Sequence, residues 1–268
     1  VNNRNATFWA VGGMWKIKGE DFLYAADAVN DLNFKVSYGT QGNASIGNYQ
    51  HLGLIATSSK YMDTNSKVLA QPSNPGLTWE QQALFTVGVN GRFFNMLDVN
   101  VEFYNRITTD MLMDVPYNYT TGFSSLKANV GSLSNRGVDV TLGVDILRGK
   151  DYWLRASTTF NYNAEKVTGL FNGLDRWEMT GYGLAYVVGK PVMFYAPIYA
   201  GIDPTDGAPM WYVPGENVDE TTMNETTKVF DEASLTQNTG LRYTPPIYGG
   251  FSIGGGWRGF SLQADFSY

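Results

Sequence analysis

Four carboxylates, Asp98, Glu102, Asp139 and Asp145, sit in alternating stretches of the chain, and paired carboxylates are the groups that glycoside hydrolysis employs. Here they fall on the polar face of strands, where a solvated wall is the simpler account. The run Asp203-Pro204-Thr205-Asp206-Gly207 offers oxygen ligands of the kind calcium takes, without the spacing of an EF-hand. Asp-Pro and Asp-Gly are also strong turn formers. His51 is the single histidine and lies in a polar stretch, so a histidine-based triad or a multi-histidine metal site is ruled out. With no cysteine, thiol catalysis, disulfides and cysteine-held zinc are ruled out too. The chain therefore reads as no enzyme, with no catalytic residue, cofactor or metal. The aromatics Tyr117, Tyr119, Trp177, Trp211 and Tyr212 lie in long polar connections. There they either stack on a sugar-like cargo or pack to hold loop shape.

The elements that position these residues are strands. Phe85, Val87, Val89 and Phe93 alternate with Thr86, Gly88, Asn90 and Arg92; after a break at 94–96, Leu97, Val99, Val101 and Phe103 alternate with Asp98, Asn100, Glu102 and Arg106. Period-two alternation sends successive side chains to opposite faces, which predicts one antiparallel hairpin with an apolar face and a charged face. The pattern recurs at 8–17, 32–38, 138–146, 154–162, 251–257 and 260–266. Eight strands in four hairpins result. The turn over 19–30 is acidic and contains a helical portion; the turns at 94–96, 147–151 and 257–259 are short. The connections at 39–80, 105–134 and 163–246 are long.

Composition agrees with all-β architecture. Aromatics make up 15% of the 268 residues, glycines number 30, and charged residues are 16%, below the quarter or so of a typical soluble domain. A net charge of −6 argues against a nucleic-acid partner. No apolar run reaches the roughly 18 residues of a spanning helix, a test that membrane β-barrels escape. If the strands run up and down, every short turn falls on one side and every long loop on the other. That asymmetry, with apolar residues outward and polar residues inward, is the pattern of outer-membrane barrels. Aromatics near strand ends (Trp9, Trp15, Tyr38, Phe93, Phe103, Trp153, Tyr162, Trp257) fit an interfacial girdle. The alternative is a soluble β-sandwich that binds carbohydrate through loop aromatics.

Four blocks of residues carry a family resemblance. Asn74-Pro75-Gly76-Leu77-Thr78-Trp79-Glu80 leads into a strand. Thr121-Gly122-Phe123-Ser124-Ser125 is followed by Ala128-Asn129-Val130-Gly131 and Asn135-Arg136-Gly137-Val138. Phe194 and Tyr195 precede Ala200-Gly201-Ile202-Asp203-Pro204, Gly207 and Pro209; Thr244-Pro245-Pro246 precedes Tyr248-Gly249-Gly250-Phe251. In this order they resemble the SusC/RagA-type TonB-dependent outer-membrane transporters of Bacteroidetes. The resemblance implies the C-terminal barrel portion of such a protein, part of a barrel of roughly 22 strands, with short periplasmic turns and long extracellular loops. It further implies TonB-driven import of glycans, oligosaccharides or peptides, and a SusD-like surface lipoprotein as a lid partner that the loop aromatics could touch. It also implies a bacterial outer membrane of lipid and lipopolysaccharide. Residues 1–268 then read as a fragment of one barrel domain, with plug and signal peptide absent and TonB engaged through a missing N-terminal part.

Overall fold

The computed structural model describes residues 5–43, 47, 49–61, 64–116, 120, 122–123 and 125–268. They form two compact units, Val1–Asn163 with Ile247–Tyr268, and Ala164–Pro246. In chain order the strands are β1 (Ala10–Lys16), β2 (Val29–Asn43), β3 (Leu54–Tyr61), β4 (Thr64–Gln71), β5 (Glu80–Phe93), β6 (Leu97–Thr109), β7 (Leu112–Pro116), β8 (Ser125–Asn129), β9 (Ser132–Arg148) and β10 (Tyr152–Gly169). Then come β11 (Arg176–Met179), β12 (Leu184–Val187), β13 (Met193–Pro197), β14 (Tyr199–Ile202), β15 (Pro209–Tyr212), β16 (Thr226–Thr227) and β17 (Thr236–Arg242). The last two, β18 (Ile247–Trp257) and β19 (Phe260–Ser267), return to the first unit.

One eight-stranded sheet dominates the first unit, in the order β1-β2-β5-β6-β9-β10-β18-β19. Each neighbour is the next long strand along the chain, so the sheet is an up-and-down antiparallel meander, as the alternation predicts. The acidic turn holds a single helical turn, α1 (Asp21–Tyr24). At the β18–β19 turn Arg258 and Gly259 both have positive φ, 45° and 90°. Such a backbone suits the twist of a two-residue hairpin.

Strand register settles which residues share a face. Across β2, β5, β6 and β9, Val36, Val87, Phe103 and Val138 form one row, and Phe34, Val89, Val101 and Val140 the next. Between them runs the row Lys35, Gly88, Glu102 and Asp139. The apolar rows are not covered: Val101 is 39% exposed and Phe103 40%. A soluble sandwich would bury that face against a second sheet, so the sandwich reading fails here. The buried apolar residues of the described chain lie elsewhere. Leu77, Val115 and Val130 sit in the excursions of the first unit, and Val167, Leu184, Ala185, Val192 and Leu235 in the second.

Two expectations are corrected. The strands overrun the predicted stretches: β9 has 17 residues and β10 has 18, where about 9–11 cross a bilayer. Main-chain pairing continues past the point where lipid demands an apolar row, so the alternation ends before the ladder does. The long connections also carry structure. The first holds the β3–β4 hairpin, the second the β7–β8 hairpin, and the third the whole second unit with two sheets, β11-β12-β13-β17 and β14-β15-β16.

Trp153 differs as well. It pairs with Gly256 and shares the parity of Arg155, so its indole covers the glycines of β18 on the polar face. The girdle at this end is made instead by Tyr152, Trp257 and Phe260, successive partners on the apolar face.

Candidate transport wall and loop surfaces

The polar face is a hydrogen-bonded wall. Near its short-turn end two arginines and two aspartates from four strands close a ring. Arg92 of β5 reaches Asp98 of β6 at 2.7 Å and Asp145 of β9 at 2.7 Å. Arg155 of β10 reaches the same pair, Asp145 at 2.8 Å and Asp98 at 2.9 Å. Arg92 also donates to the carbonyl of Asn95 at 2.7 Å, which ties the ring to the β5–β6 turn. Arg155 must cross β9 to reach Asp98, and the residue of β9 opposite Asp98 is Gly143. A β-carbon there would meet the Arg155 guanidinium at 2.8 Å. The glycine is the gap through which the side chain passes.

Higher on the wall, Asn161 donates to Asp139, the Tyr104 hydroxyl meets Asn163 Oδ1 at 3.1 Å, and Asn163 donates to Asn135 at 3.2 Å. No pair here has the arrangement of an acid beside a poised base; Asp98 and Asp145 are each committed to two guanidinium groups. Glu102 and Asp139 face each other across β6 and β9 within the same polar wall. The wall can line a passage, and its groups are held in fixed positions.

Two of the sequence blocks find each other at the long-loop end. Asn129 Oδ1 accepts from Thr78 N at 2.7 Å, while its Nδ2 donates to the carbonyls of Thr78 at 3.0 Å and Asp110 at 2.8 Å. Asn74 Nδ2 donates to the Lys127 carbonyl at 2.9 Å. Leu77 and Val130 fill the space beneath, each 2% exposed. The block at 74–80 and that at 128–131 are thus two halves of one staple joining the β4–β5 connection to the β7–β8 hairpin. His51 takes part in the neighbouring turn through its carbonyl, which accepts from Asn74 N at 3.1 Å.

In the second unit Asp219 accepts from Arg176 Nε at 2.8 Å and from the Tyr195 hydroxyl at 2.7 Å. Burial pushes the Tyr195 hydroxyl far above its ordinary value, and its bond to Asp219 adds to the shift. Burial pushes the Asp219 carboxyl up, but hydrogen bonds from Tyr195 and Arg176 outweigh it and hold the group below the usual range. Asp203 and Asp206 grip Lys228, whose Nζ lies 2.5 and 2.8 Å from their Oδ2 atoms. The lysine bond, followed by the Thr205 N–H, holds Asp203 down to about 2. Lys228 is the cation of this carboxylate pair, and it fastens the β14–β15 turn to the segment after β16.

The loop aromatics take different positions. Trp177 is buried at 7% exposure, with Tyr186 stacked at 5.4 Å and Phe171 edge-on at 5.3 Å. Its faces are taken by its own unit, which corrects the expectation that it meets cargo or a lid. Trp211 on β15 stands between Tyr199 at 6.4 Å and Phe230 at 5.0 Å, which are 56% and 54% exposed. Tyr212 follows it on β15, half-buried and paired with Thr226. Tyr117 and Tyr119 lie outside the described residues. Tyr199 and Phe230 were not singled out from sequence; their only signal was an aromatic residue in a polar surrounding, which Trp177 shared.

An uncovered apolar face backed by a fixed polar wall, on antiparallel strands joined by short turns, is the pattern of an outer-membrane β-barrel wall. The comparisons with known proteins agree. No family model matches. TonB-dependent receptor P39 of Formosa agariphila is 33% identical over 169 residues, 63% of this chain and 16% of that protein. TonB-dependent receptor SusC of Bacteroides thetaiotaomicron is 28% identical over 183 residues, 65% of this chain and 18% of that protein. A structure of the RagAB peptide transporter superposes with a TM-score of 0.89 and 42% identity, covering all of this chain and 29% of that one. The chain is similar to a portion of the SusC/RagA-type TonB-dependent receptors, and it spans a minor share of the length of these relatives.

Proposed function

We propose that this chain is part of one barrel domain and supplies barrel wall and extracellular loops to a receptor that imports nutrients across the bacterial outer membrane, driven by TonB. A SusD-like surface lipoprotein closes over the loops. The observation that carries the reading is the eight-stranded meander with its exposed apolar rows and bonded polar rows. Peptides are the first cargo class to test, because the peptide transporter matches along the whole chain at 42% identity, whereas SusC matches over 65% of it at 28%. Glycans are the second. The exposed cluster of Tyr199, Trp211 and Phe230, with Tyr212 and with Tyr117 and Tyr119, is the proposed contact for cargo or lid.

The test is uptake. Cells that make the intact receptor should take up fluorescent oligopeptides faster than cells lacking it, and a protonophore should abolish the difference. Uptake that survives the protonophore would rule out TonB drive. Competition by oligosaccharides and none by unlabelled peptides would move the cargo to glycans.

A further inference from the structure

The apolar face is not filled evenly. On β10, β18 and β19 its rows read Tyr152–Trp257–Phe260, then Leu154–Gly255–Leu262, then Ala156–Ile253–Ala264, then Thr158–Phe251–Phe266. The outer rows are aromatic, and Phe251 stacks on Phe266 at 6.2 Å. Between them stand Gly255 and Ala264, small residues that leave a trough of about 510 Å³ floored by Gly255. Along β18 the trough runs from Trp257 to Ile253, four residues or about 13 Å of strand. Its length and apolar lining suit part of an extended acyl chain.

The short-turn end of the trough is basic. Arg148, Lys150 and Arg258 are exposed, and none has an ion-pair partner among the described residues. Asp151 is the one acidic residue in these turns. The Arg258 guanidinium lies 5.3 Å from the centre of the Trp257 ring, and Trp257 lines the trough. The β1–β2 turn, by contrast, carries Glu20, Asp21 and Asp27.

We propose that this corner is a binding site for one anionic glycerophospholipid of the periplasmic leaflet. An acyl chain lies over Gly255, and the phosphate is held by Arg258, Lys150 and Arg148. Unpaired cations beside an aromatic belt are the chemistry that selects a phosphate headgroup at a membrane surface. The site rests on the apolar face meeting lipid, and not on which cargo the receptor imports.

The intact receptor, extracted from outer membranes in mild detergent, would be examined by native mass spectrometry after addition of phosphatidylglycerol or phosphatidylcholine. One phosphatidylglycerol should be retained at least tenfold better than phosphatidylcholine. Gly255→Leu, which fills the trough, and the triple variant Arg148→Gln, Lys150→Gln, Arg258→Gln should each lose that preference. The charge variant leaves the wall untouched and serves if the leucine disturbs folding. Equal retention of both lipids by the wild type, unchanged preference in the charge variant, or retention of lipopolysaccharide instead would overturn the site. A receptor that fractionates away from the membrane would instead overturn the barrel reading.

Discussion

Gly143 governs a contact that its own strand does not make. Placing valine there should push the Arg155 guanidinium off Asp98 and open the ring. Pairs this exposed are worth about 0.2–1 kcal/mol each, so Arg155→Ala, which removes two, should lower stability by roughly 0.4–2 kcal/mol. A double-mutant cycle of Gly143→Val and Arg155→Ala should be non-additive, because both remove the Arg155–Asp98 contact. Strict additivity in thermal melts of the detergent-solubilised receptor would refute the gap. Asp203 carries a pH signature. Its folded value of about 2 lies below the ordinary 3.9 or so of an unfolded aspartate, so the unfolded chain takes the proton first. The stabilisation is complete above about pH 4 and disappears as pH falls through about 2. Melts of the second unit from pH 5 to 2 should therefore fall more steeply for the wild type than for Lys228→Met; superimposable curves would show that the lysine is not the cause. Parity alone places Arg92, Asp98 and Asp145 on one face from sequence. The ring was not legible, because it depends on Asp98 standing opposite a glycine, a matter of register between strands some 45 residues apart in the chain.

At the scale of the strand, alternation is a statement about solvent on two sides. Val140 lies in the apolar row beside Val101, and Thr141 in the polar row beside Asn100. Val140→Arg should cost about 2–4 kcal/mol if the site is near the midplane, and Thr141→Arg much less, as read from refolding into lipid vesicles. Equal costs would mean that both faces see the same medium. Single cysteines should respond to a water-soluble thiol reagent in the membrane at even positions from 98 to 104 and odd positions from 139 to 145. The eight strands and their short turns were readable because lipid imposes a period of two where the strand crosses. The hairpins β3–β4 and β7–β8 were not, because strands that need no apolar row leave only a polar, turn-rich composition. Trp177 was misplaced for a related reason. Its burial follows from Phe171 and Tyr186 closing on it, and nothing in its immediate neighbours distinguishes it from Trp211.

At the scale of the molecule, β1 and β19 each have one partner in the sheet and so present an open edge. Open edges template pairing with other strands. The 268-residue chain made alone in detergent should therefore self-associate in a concentration-dependent way; a monodisperse monomer by sedimentation would contradict this. The ring of Arg92, Asp98, Arg155 and Asp145 bears on what could travel past it. Two positive and two negative groups alternate around a closed circuit, so their fields cancel within about the 8 Å over which physiological salt screens a charge. A charged solute passing the ring meets no net charge from these four groups, whichever sign it bears. The ring is thus a patch of the wall without net charge, and any discrimination by charge along this face falls to groups other than these four.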